Sequence, residues 1–345
     1  MSVTAIVGLQ YGSEGKGHLA HLLASVTDAA IRTGGPNAGH TLTHRGTTYK
    51  MRQIPCAFVN PAALLLIGPG GYVTPDVLTA EAATLRNAGH QLAGRLYVHT
   101  AAGIIEPHHR DTETGAGLTD RIGSTGEGVG AATADRALRT LTTAGQRPEL
   151  LPPDATLIGP ADYLDLIHDL HDRGGRIILE GTQGAHLSVY HGPYPAVTSR
   201  DTTAASLAGA AGIAPTMIDN IVGVARAFPI RVAGNSGPLP HETDFPTLGV
   251  PAEHTTVTGR VRRIAHFDPI AFRQAIQLNR PTDLALTFGD YLPEGARHPF
   301  RHLVERLAGT TVDYYGLGPT LTDAWLRPDS YLDSARTAWT ASGGT

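Results

Sequence analysis

Apolar runs of strand length alternate with helical patterns along most of the chain. The segment VTAIVGL near the N-terminus is almost continuously apolar, which is typical of a strand buried on both faces of a sheet. A glycine-rich loop and the helical pattern HLAHLLASV follow it. Further strand patterns are ALLLIGPGGYV, RIILEGTQG, IVGVARAF and DLALTFGD, and further helical patterns are PDVLTAEAATLRNAG, ADYLDLIHDLHDRGG and DPIAFRQAIQLN. We therefore predict an α/β fold with a mostly parallel central sheet, a P-loop-like glycine loop and long functional loops at the strand ends.

The pattern contains no clear domain boundary. The best candidate for a long loop is TLTTAGQRPELLPPDATLIGP, but no linker composition or internal repeat accompanies it. We expect residues 1–345 to form one domain.

Composition narrows the class of partner. Hydrophobic residues make up 41% of the chain, which is enough for a sizeable core, and the net charge is −4 without a basic stripe, so we expect no nucleic-acid partner. No leader pattern or long apolar run is visible, so we expect no membrane partner. The one cysteine, Cys56, excludes an intramolecular disulfide and suits a reducing, cytoplasmic compartment.

The glycine loop VGLQYGSEGKGHLA resembles a phosphate-binding loop but is not a Walker loop, because Gly17 follows Lys16 where a Walker loop has a hydroxyl. Gly12, Gly15 and Gly17 would let backbone N–H groups converge on phosphate oxygens at the start of a helix. Of the 27 lysines and arginines, only Lys16 and Lys50 are lysines. The alternative reading is a loop whose glycines serve only close packing.

Two more glycine-rich segments carry polar side chains. In RTGGPNAGHT, Asn37 offers an amide, and His40 could donate to a phosphate or act as a general acid. In GSTGEGVG, the hydroxyls of Ser124 and Thr125 could bind a second phosphate. The helical pattern AATADRALR behind it would place two arginines, Arg136 and Arg139, on one helix face. A structural histidine and a capped helix with a solvated basic edge are the alternatives.

Two later segments are rich in hydroxyls and cations. EGTQGAHLSVYHGPYPAVTSRDTTAA begins at the end of a predicted strand and carries Gln183 and Thr198, which suit a base and a phosphate. HTTVTGRVRR places Arg260, Arg262 and Arg263 among threonines, a natural clamp for a carboxylate. On its own, this cluster could equally be a solvated surface patch.

Taken together, these five segments resemble the adenylosuccinate synthetases. That family has motifs close to G-x-Q-W-G-D-E-G-K-G, G-G-x-N-A-G-H-T, T-T-G-R-G-I-G-P, E-G-A-Q-G with Y-P-x-V-T-S-x-N-T-T, and T-T-G-R-x-R-R. All five have counterparts here in the same order, between Gly8 and Arg263. A weaker sixth match, LTFGD, stands at the place of the family's guanine-reading T-K-x-D.

The resemblance implies a two-step C–N ligase. A nucleoside triphosphate phosphorylates the 6-oxygen of a purine nucleotide, and the amine of L-aspartate then displaces that phosphate. Mg²⁺ is the implied cofactor, held by Ser13 and the Gly39 carbonyl. A homodimer is implied, since the family takes the arginine corresponding to Arg139 from the neighbouring subunit.

The resemblance also implies a role for each site residue. The catalytic residues would be Ser13, Lys16 and His40. The triphosphate would contact Gly12, Ser13, Glu14, Gly15, Lys16, Gly17, Gly39, His40, Thr41, Asp290 and Gly318. The acceptor nucleotide would contact Ser13, Asn37, Ser124, Thr125, Arg139, Gln183, Thr198 and Arg260. Aspartate would contact Thr258, Arg260 and Arg262.

Position 13 departs from the family pattern, because members carry there the aspartate that takes the N1 proton of inosine monophosphate. A serine is smaller and uncharged, so it leaves space for a group on C2 and can accept a hydrogen bond from an amino group there. A bacteriophage branch of the family carries this serine and uses dGMP to make N6-succino-2-amino-2'-deoxyadenylate, a precursor of 2-aminoadenine DNA. We therefore expect dGMP, L-aspartate and ATP or dATP as substrates, in the host cytoplasm if the chain is phage-encoded.

Other departures leave alternatives open. Glu127 stands where the family has arginine, and RVAGNSGP carries two extra residues near the expected ribose. Phe288 replaces the lysine that lies on guanine, which favours an adenine donor, whereas the retained Asp290 favours GTP. An ordinary synthetase acting on IMP with GTP is one alternative. A non-catalytic nucleotide-binding protein that lost its base at Ser13 is another.

Overall fold

The structure is a computed structural model that describes residues 2–255 and 259–341. Its strands are β1 (Ser2–Gly8), β2 (Ala29–Arg32), β3 (His40–His44), β4 (Thr47–Met51), β5 (Leu64–Ile67), β6 (Tyr72–Val73), β7 (Leu96–His99), β8 (Gly103–Ile104), β9 (Ala155–Ile158), β10 (Arg176–Glu180), β11 (Ile218–Arg226), β12 (Ile230–Arg231), β13 (Glu242–Thr243), β14 (Arg263–Ala265), β15 (Asp283–Thr287), β16 (Val312–Gly316) and β17 (Ala324–Leu326).

The α-helices lie mostly between consecutive strands of the large sheet. They are α1 (Lys16–Ala24), α2 (Pro75–Asn87), α3 (Pro107–Gly115), α4 (Leu118–Ile122), α5 (Val129–Leu138), α6 (Pro160–Asp172), α7 (Ala204–Ala211), α8 (Phe245–Leu248), α9 (Pro269–Asn279), α10 (Glu294–Ala308) and α11 (Tyr331–Ala341). None of these helices combines the length and the hydropathy that a bilayer crossing requires.

A ten-stranded sheet organises the fold, in the order β17-β16-β15-β11-β1-β10-β2-β5-β7-β9. All neighbours in it are parallel except the edge strand β17, which runs antiparallel to β16. The predicted α/β class and the mostly parallel sheet are confirmed. Strands β2, β5, β7, β9 and β10 lie on one side of β1, and β11, β15, β16 and β17 lie on the other side. The strand order therefore reverses at β1, and such a switch point opens a crevice at the carboxyl ends of the strands.

Apolar cores on both faces of the sheet explain the nearly continuous hydrophobic runs of its strands. Ile6 of β1 packs in one core with α1, α2 and α11, whereas Val3, Ala5 and Val7 of the same strand pack in the other core with α6 and α7. A strand covered on both faces needs apolar residues at successive positions. The carboxyl ends of β1, β2, β10, β11 and β15 therefore meet at one buried edge.

Two details of the sequence prediction were wrong. The proposed loop around residues 140–160 contains the strand Ala155–Ile158, whose half-exposed position at the sheet edge weakens its apolar signal. Arg136 and Arg139 do not share a helix face, because α5 ends at Leu138 and Arg139 adopts a left-handed conformation with φ 64°.

Candidate active site

A cavity of about 920 Å³ opens at the carboxyl edge of the sheet. Its walls come from the loop after β1, from segments near residues 37–43, 121–130 and 183–199, and from the ends of β11 and β15 with the turns that follow them. Most of the residues that the sequence singled out line it: Gly12, Ser13, Gly15, Lys16, Gly17, Asn37, Gly39, His40, Thr41, Ser124, Thr125, Gln183, Thr198, Arg262, Asp290 and Gly318.

The glycine loop is folded around a buried carboxylate. Glu14 is fully buried, and its Oε1 accepts hydrogen bonds from the backbone N–H groups of Gly12, at 2.8 Å, and Gln10, at 3.1 Å. The Cβ of any larger residue at Gly8 would lie 2.5 Å from Glu14 Oε2, so this position requires glycine. The side chain of Glu14 therefore shapes the loop, and Glu14 itself does not line the cavity.

Lys16 begins α1 and is held by internal partners. Its Nζ lies 2.6 Å from Glu14 Oε2 and also donates to the carbonyl of Gln183. Lys16 is only 3% exposed but lines the cavity, so its charge is held inside the protein by an ion pair. A phosphate at the helix N-terminus would share this ammonium with Glu14.

His40 is held by a buried acid and a buried arginine. Its Nδ1 lies 2.6 Å from Glu180 Oε1, and Arg32 Nη1 lies 3.0 Å from the same oxygen. Because a carboxylate accepts the Nδ1 proton, the neutral ring carries a free electron pair on Nε2. That Nε2 is buried and has no hydrogen-bond partner among the described residues, although His40 lines the cavity.

Burial, followed by the charge of Arg32, lowers the pKa of His40 to about 4 against the opposing effect of Glu180. Burial alone would raise the pKa of Glu180, but the hydrogen bond and charge of His40, together with Arg32, lower it to about 2. At neutral pH the ring is therefore neutral, and it becomes a proton donor only when negative charge in the cavity raises its pKa.

Ser13 lies in the glycine loop, on the part of the cavity wall next to the end of β11. Its backbone is left-handed, with φ 58°, and its side chain is exposed to the cavity. Its hydroxyl has no hydrogen-bond partner within residues 2–255 and 259–341. Gln183 is also left-handed, with φ 56°, and its amide donates to Asn37 Oδ1 at 3.3 Å. Two polar groups of the predicted acceptor site are thus joined.

Residues 123–130 bind a carboxylate side chain of the protein itself. The carboxylate of Glu113 accepts the N–H groups of Gly128, at 3.0 Å, and Gly130, at 2.7 Å, and the Ser124 hydroxyl lies 3.4 Å away. The N-terminus of α5 is thus capped internally. No local pattern in the sequence signals this role of Glu113, because its partner glycines lie 15 and 17 residues away.

The three arginines of the predicted carboxylate clamp lie in different environments. Arg262 lines the cavity and its Nε donates to the carbonyl of His254 at 3.2 Å, whereas Arg260 is exposed and does not line the cavity. Arg263 is paired with Glu242 on a small antiparallel sheet. Thr258 lies outside the described residues.

Arg139 is also away from its own chain's cavity. It is exposed at the end of α5, and its Nη1 donates to the carbonyl of Ala137 at 2.6 Å. Arg136 instead donates to the carbonyl of Ala101, so only Arg139 of this pair presents a cation to the surface.

The wall predicted to face the triphosphate donor follows β15. Asp290 is exposed there, and Gly318 lies on the same wall. Phe288 adopts a left-handed conformation with φ 54°, and its ring lies against the guanidinium of Arg226, with 3.7 Å between Cζ and the ring centroid. Glu127, the other departure from the family pattern, is paired with Arg52 at 2.6 Å.

Comparison with known proteins identifies the family. The profile described as Adenylosuccinate synthetase matches residues 5–151 and 160–298. An adenylosuccinate synthetase of Methanococcus vannielii is 40% identical over 294 residues, covering 83% of this chain and 84% of that protein. That of Methanocaldococcus jannaschii is 38% identical over 341 residues, covering 93% of this chain and 95% of that protein.

Two solved structures share the fold. The succinoaminodeoxyadenylate synthetase (PurZ) of cyanophage S-2L, bound to dGMP and to dATP as an energy donor, has a TM-score of 0.84 and 33% identity, and the match covers 98% of this chain and 99% of that one. The fully ligated adenylosuccinate synthetase of Plasmodium falciparum has a TM-score of 0.83 and 20% identity, with 95% and 100% covered. The expected C–N ligase class is confirmed, and the chain belongs to the adenylosuccinate synthetase family, whose members join aspartate to a purine nucleotide.

Proposed function

We propose that this ligase takes dGMP as its acceptor and converts it, with L-aspartate and ATP or dATP, into N6-succino-2-amino-2'-deoxyadenylate. The observation that carries the proposal is the Ser13 hydroxyl, which lies exposed on the cavity wall without a hydrogen-bond partner in the described part of the chain. A hydroxyl leaves more room than a carboxylate and can accept a hydrogen bond from an exocyclic amine.

Similarity to one neighbour adds support. The cyanophage S-2L protein, which binds dGMP and dATP, resembles this chain over nearly its whole length. Overall identity to ordinary synthetases is at least as high, at 36–40%, so the argument depends on position 13 rather than on total similarity. Those relatives and the retained Asp290 favour the competing function, in which IMP is the acceptor and GTP the donor.

The reaction has two balanced steps. The 6-oxygen of the purine attacks the γ-phosphorus as N1 passes its proton to water and so to solvent, and the nucleoside diphosphate leaves. The neutral aspartate amine then attacks C6, phosphate leaves, and the amine passes one proton to solvent. Negative charge develops on the γ-phosphoryl oxygens and on the leaving diphosphate in the first step.

Residues of the buried side meet that charge. Lys16 donates from the helix N-terminus to the phosphate oxygens. His40, held through Nδ1 by Glu180, presents Nε2 to the cavity, and the bound phosphates favour its protonated form. The charged ring then donates to the phosphoryl oxygen, and Glu180 stabilises the positive charge.

The donor set fits Mg²⁺ when the substrate supplies the charged ligands. Ser13 and Gly39 both line the cavity and would offer a hydroxyl and a carbonyl oxygen, and Mg²⁺ binds oxygen and takes many of its ligands from phosphates and water. The ion would neutralise charge on the phosphates.

The acceptor nucleotide and L-aspartate would contact other parts of the cavity wall. Gln183, Asn37, Thr125 and Thr198 line the cavity and would contact the acceptor, and Arg262, one of the arginines on the cavity wall, would meet the aspartate carboxylate. Exposed Arg139 lies outside its own cavity, which suits a homodimer in which it reaches the acceptor phosphate of the partner. Such an enzyme would act in the cytoplasm.

A substrate panel tests the proposal. Phosphate release is measured with dGMP, GMP, IMP and dIMP, each with L-aspartate, Mg²⁺ and either ATP, dATP or GTP. We expect turnover with dGMP and an adenine donor. Turnover with IMP and none with dGMP would establish the ordinary synthetase instead, and tight dGMP binding without turnover by any donor would indicate a non-catalytic nucleotide-binding protein.

A further inference from the structure

Arg226 is a buried cation at the last position of β11, beneath the cavity. Its side chain is fully buried. Its backbone is fixed by Gln10, whose Oε1 accepts the Arg226 N–H at 3.0 Å and whose Nε2 donates to the Arg226 carbonyl at 3.1 Å. The side chain therefore extends from a backbone position that is fixed at the carboxyl edge of the sheet.

This guanidinium contacts three separate walls of the cavity. Nη1 donates to the carbonyl of Ser13 at 3.1 Å and to Glu253 Oε2 at 3.2 Å, and Nη2 donates to Glu253 Oε1. Its Cζ lies over the ring of Phe288. The ion pair with Glu253 is bidentate, which fixes the orientation of both side chains.

Each contact leads to a different substrate. Ser13 lies on the proposed acceptor wall, and Phe288 lies on the donor wall. Glu253 leads to the aspartate side, because its carbonyl accepts the N–H of Arg262 at 2.8 Å. One buried cation therefore connects the three walls directly.

Two of these partners hold unfavourable backbone conformations. Ser13 and Phe288 both have positive φ, which costs a non-glycine residue on the order of 1–2 kcal/mol. Such conformations persist only where surrounding contacts enforce them, and here Arg226 contacts both residues. Loss of the guanidinium would release both residues together.

We propose that Arg226 is a positioning residue that couples the donor site to the acceptor and aspartate sites. A donor base packed on Phe288 from the cavity holds that ring against Arg226. Arg226 in turn holds the Ser13 carbonyl and the Glu253 carboxylate in the arrangement that the acceptor and aspartate require. Donor binding therefore strengthens binding of the other two substrates, and by thermodynamic linkage the effect is reciprocal.

The coupling rests on the family's ligase activity and not on the identity of the purine. Its test uses whichever acceptor the enzyme turns over, dGMP or IMP. The dissociation constant of that acceptor is measured with and without a non-hydrolysable triphosphate and Mg²⁺. The ratio of the two constants is the coupling factor, and KM for L-aspartate is measured alongside.

We expect a coupling factor of at least about fivefold in the unaltered enzyme. Arg226→Met should reduce it to less than about twofold and raise KM for L-aspartate roughly tenfold, because the bidentate pair with Glu253 is lost. Arg226→Lys keeps the charge but lacks the planar fork, so it should restore only part of the coupling.

Arg95→Met is the matched control. Arg95 is partly buried and donates to the carbonyls of Asn60 and Phe58, away from the cavity. It should keep the full coupling factor whatever it does to thermal stability. If Arg226→Met does not fold, Phe288→Leu removes the donor-side contact alone and should abolish coupling. An uncoupled unaltered enzyme, or full coupling in Arg226→Met or Phe288→Leu, would overturn the proposal.

Discussion

The two sides of the cavity differ in how their charged residues are held. On the side proposed to bind the phosphates, Lys16, His40 and Glu180 are buried in hydrogen-bonded pairs. On the recognition side, Ser13 and Asp290 are exposed. A buried charge needs its partner to remain folded, whereas an exposed residue can change with little effect on stability. Under the proposed function, phosphoryl activation thus depends on residues of the core, while the choice of substrate depends on residues exposed at the cavity surface.

Lys16→Met should have the largest effect on catalysis. Loss of the ammonium removes a cation from the phosphates in the transition state, so we expect kcat to fall by about 10³-fold. Lys50→Met provides a control, since this is the other lysine of the chain and it is exposed. The measurement is the rate of phosphate release by each of the two variants.

A folding control is needed because Lys16→Met leaves the buried Glu14 without its cation. The double variant Glu14→Gln/Lys16→Met removes that unpaired charge. If the single variant loses activity but the double variant recovers it, the ammonium serves folding only and its assigned role in catalysis is wrong.

Glu180→Gln should have the next largest effect. The amide no longer stabilises the charged form of His40, so we expect kcat to fall by about 10²-fold while KM for the acceptor changes little. His40→Asn should show a similar loss, and the double variant should lose no more than either single one because the pair acts as a unit. Additive losses would show that the two residues act separately.

Acid should destabilise the fold through two histidines on α1, His18 and His21. Burial, and then the charges of His44 and His18, lower the pKa of His21 to about 3, and burial lowers the pKa of His18 to about 4. The unfolded chain binds these protons more tightly, so the stability is complete above about pH 6.5 and is lost as pH falls toward 3–4.

His21→Phe isolates this effect. The free energy of unfolding is measured by urea titration at each pH. Between about pH 7 and pH 5 it should fall by roughly 2 kcal/mol less in this variant than in the unaltered protein. His191→Gln, at an exposed position, should show the unaltered pH dependence. Equal slopes for His21→Phe and the unaltered protein would contradict the assignment.

Arg262 and Arg260 should differ modestly but measurably. Arg262 lines the cavity and Arg260 does not, so Arg262→Ala should raise KM for L-aspartate by about tenfold and Arg260→Ala by clearly less. The reverse order would mean that the segment rearranges when aspartate binds.

The central strands and most of the cavity wall were predictable from the sequence. β1, β10, β11 and β15 were recognised because strands covered on both faces are nearly continuous apolar runs. β2 and β7 were missed, since four-residue segments such as AAIR and LYVH carry too little periodicity. Glycine motifs located the loops, because their spacing is local in the sequence.

Contacts between distant segments were beyond the sequence pattern. Arg226 ends an ordinary apolar strand, and its partner Glu253 lies 27 residues later in an unpatterned segment. The inward orientation of Glu14 and the exposure of Arg260 are likewise set by tertiary packing. The sequence shows which of these residues are charged, but only the fold determines which charges are paired.

The most direct test of the central claim exchanges the side chain at position 13. The ratio of kcat/KM for dGMP to that for IMP is measured in the unaltered enzyme and in Ser13→Asp. We predict a ratio well above one in the unaltered enzyme and a fall of about 10²-fold or more in the variant, because a carboxylate crowds the 2-amino group. An unchanged or increased ratio would contradict the claim that Ser13 selects the acceptor.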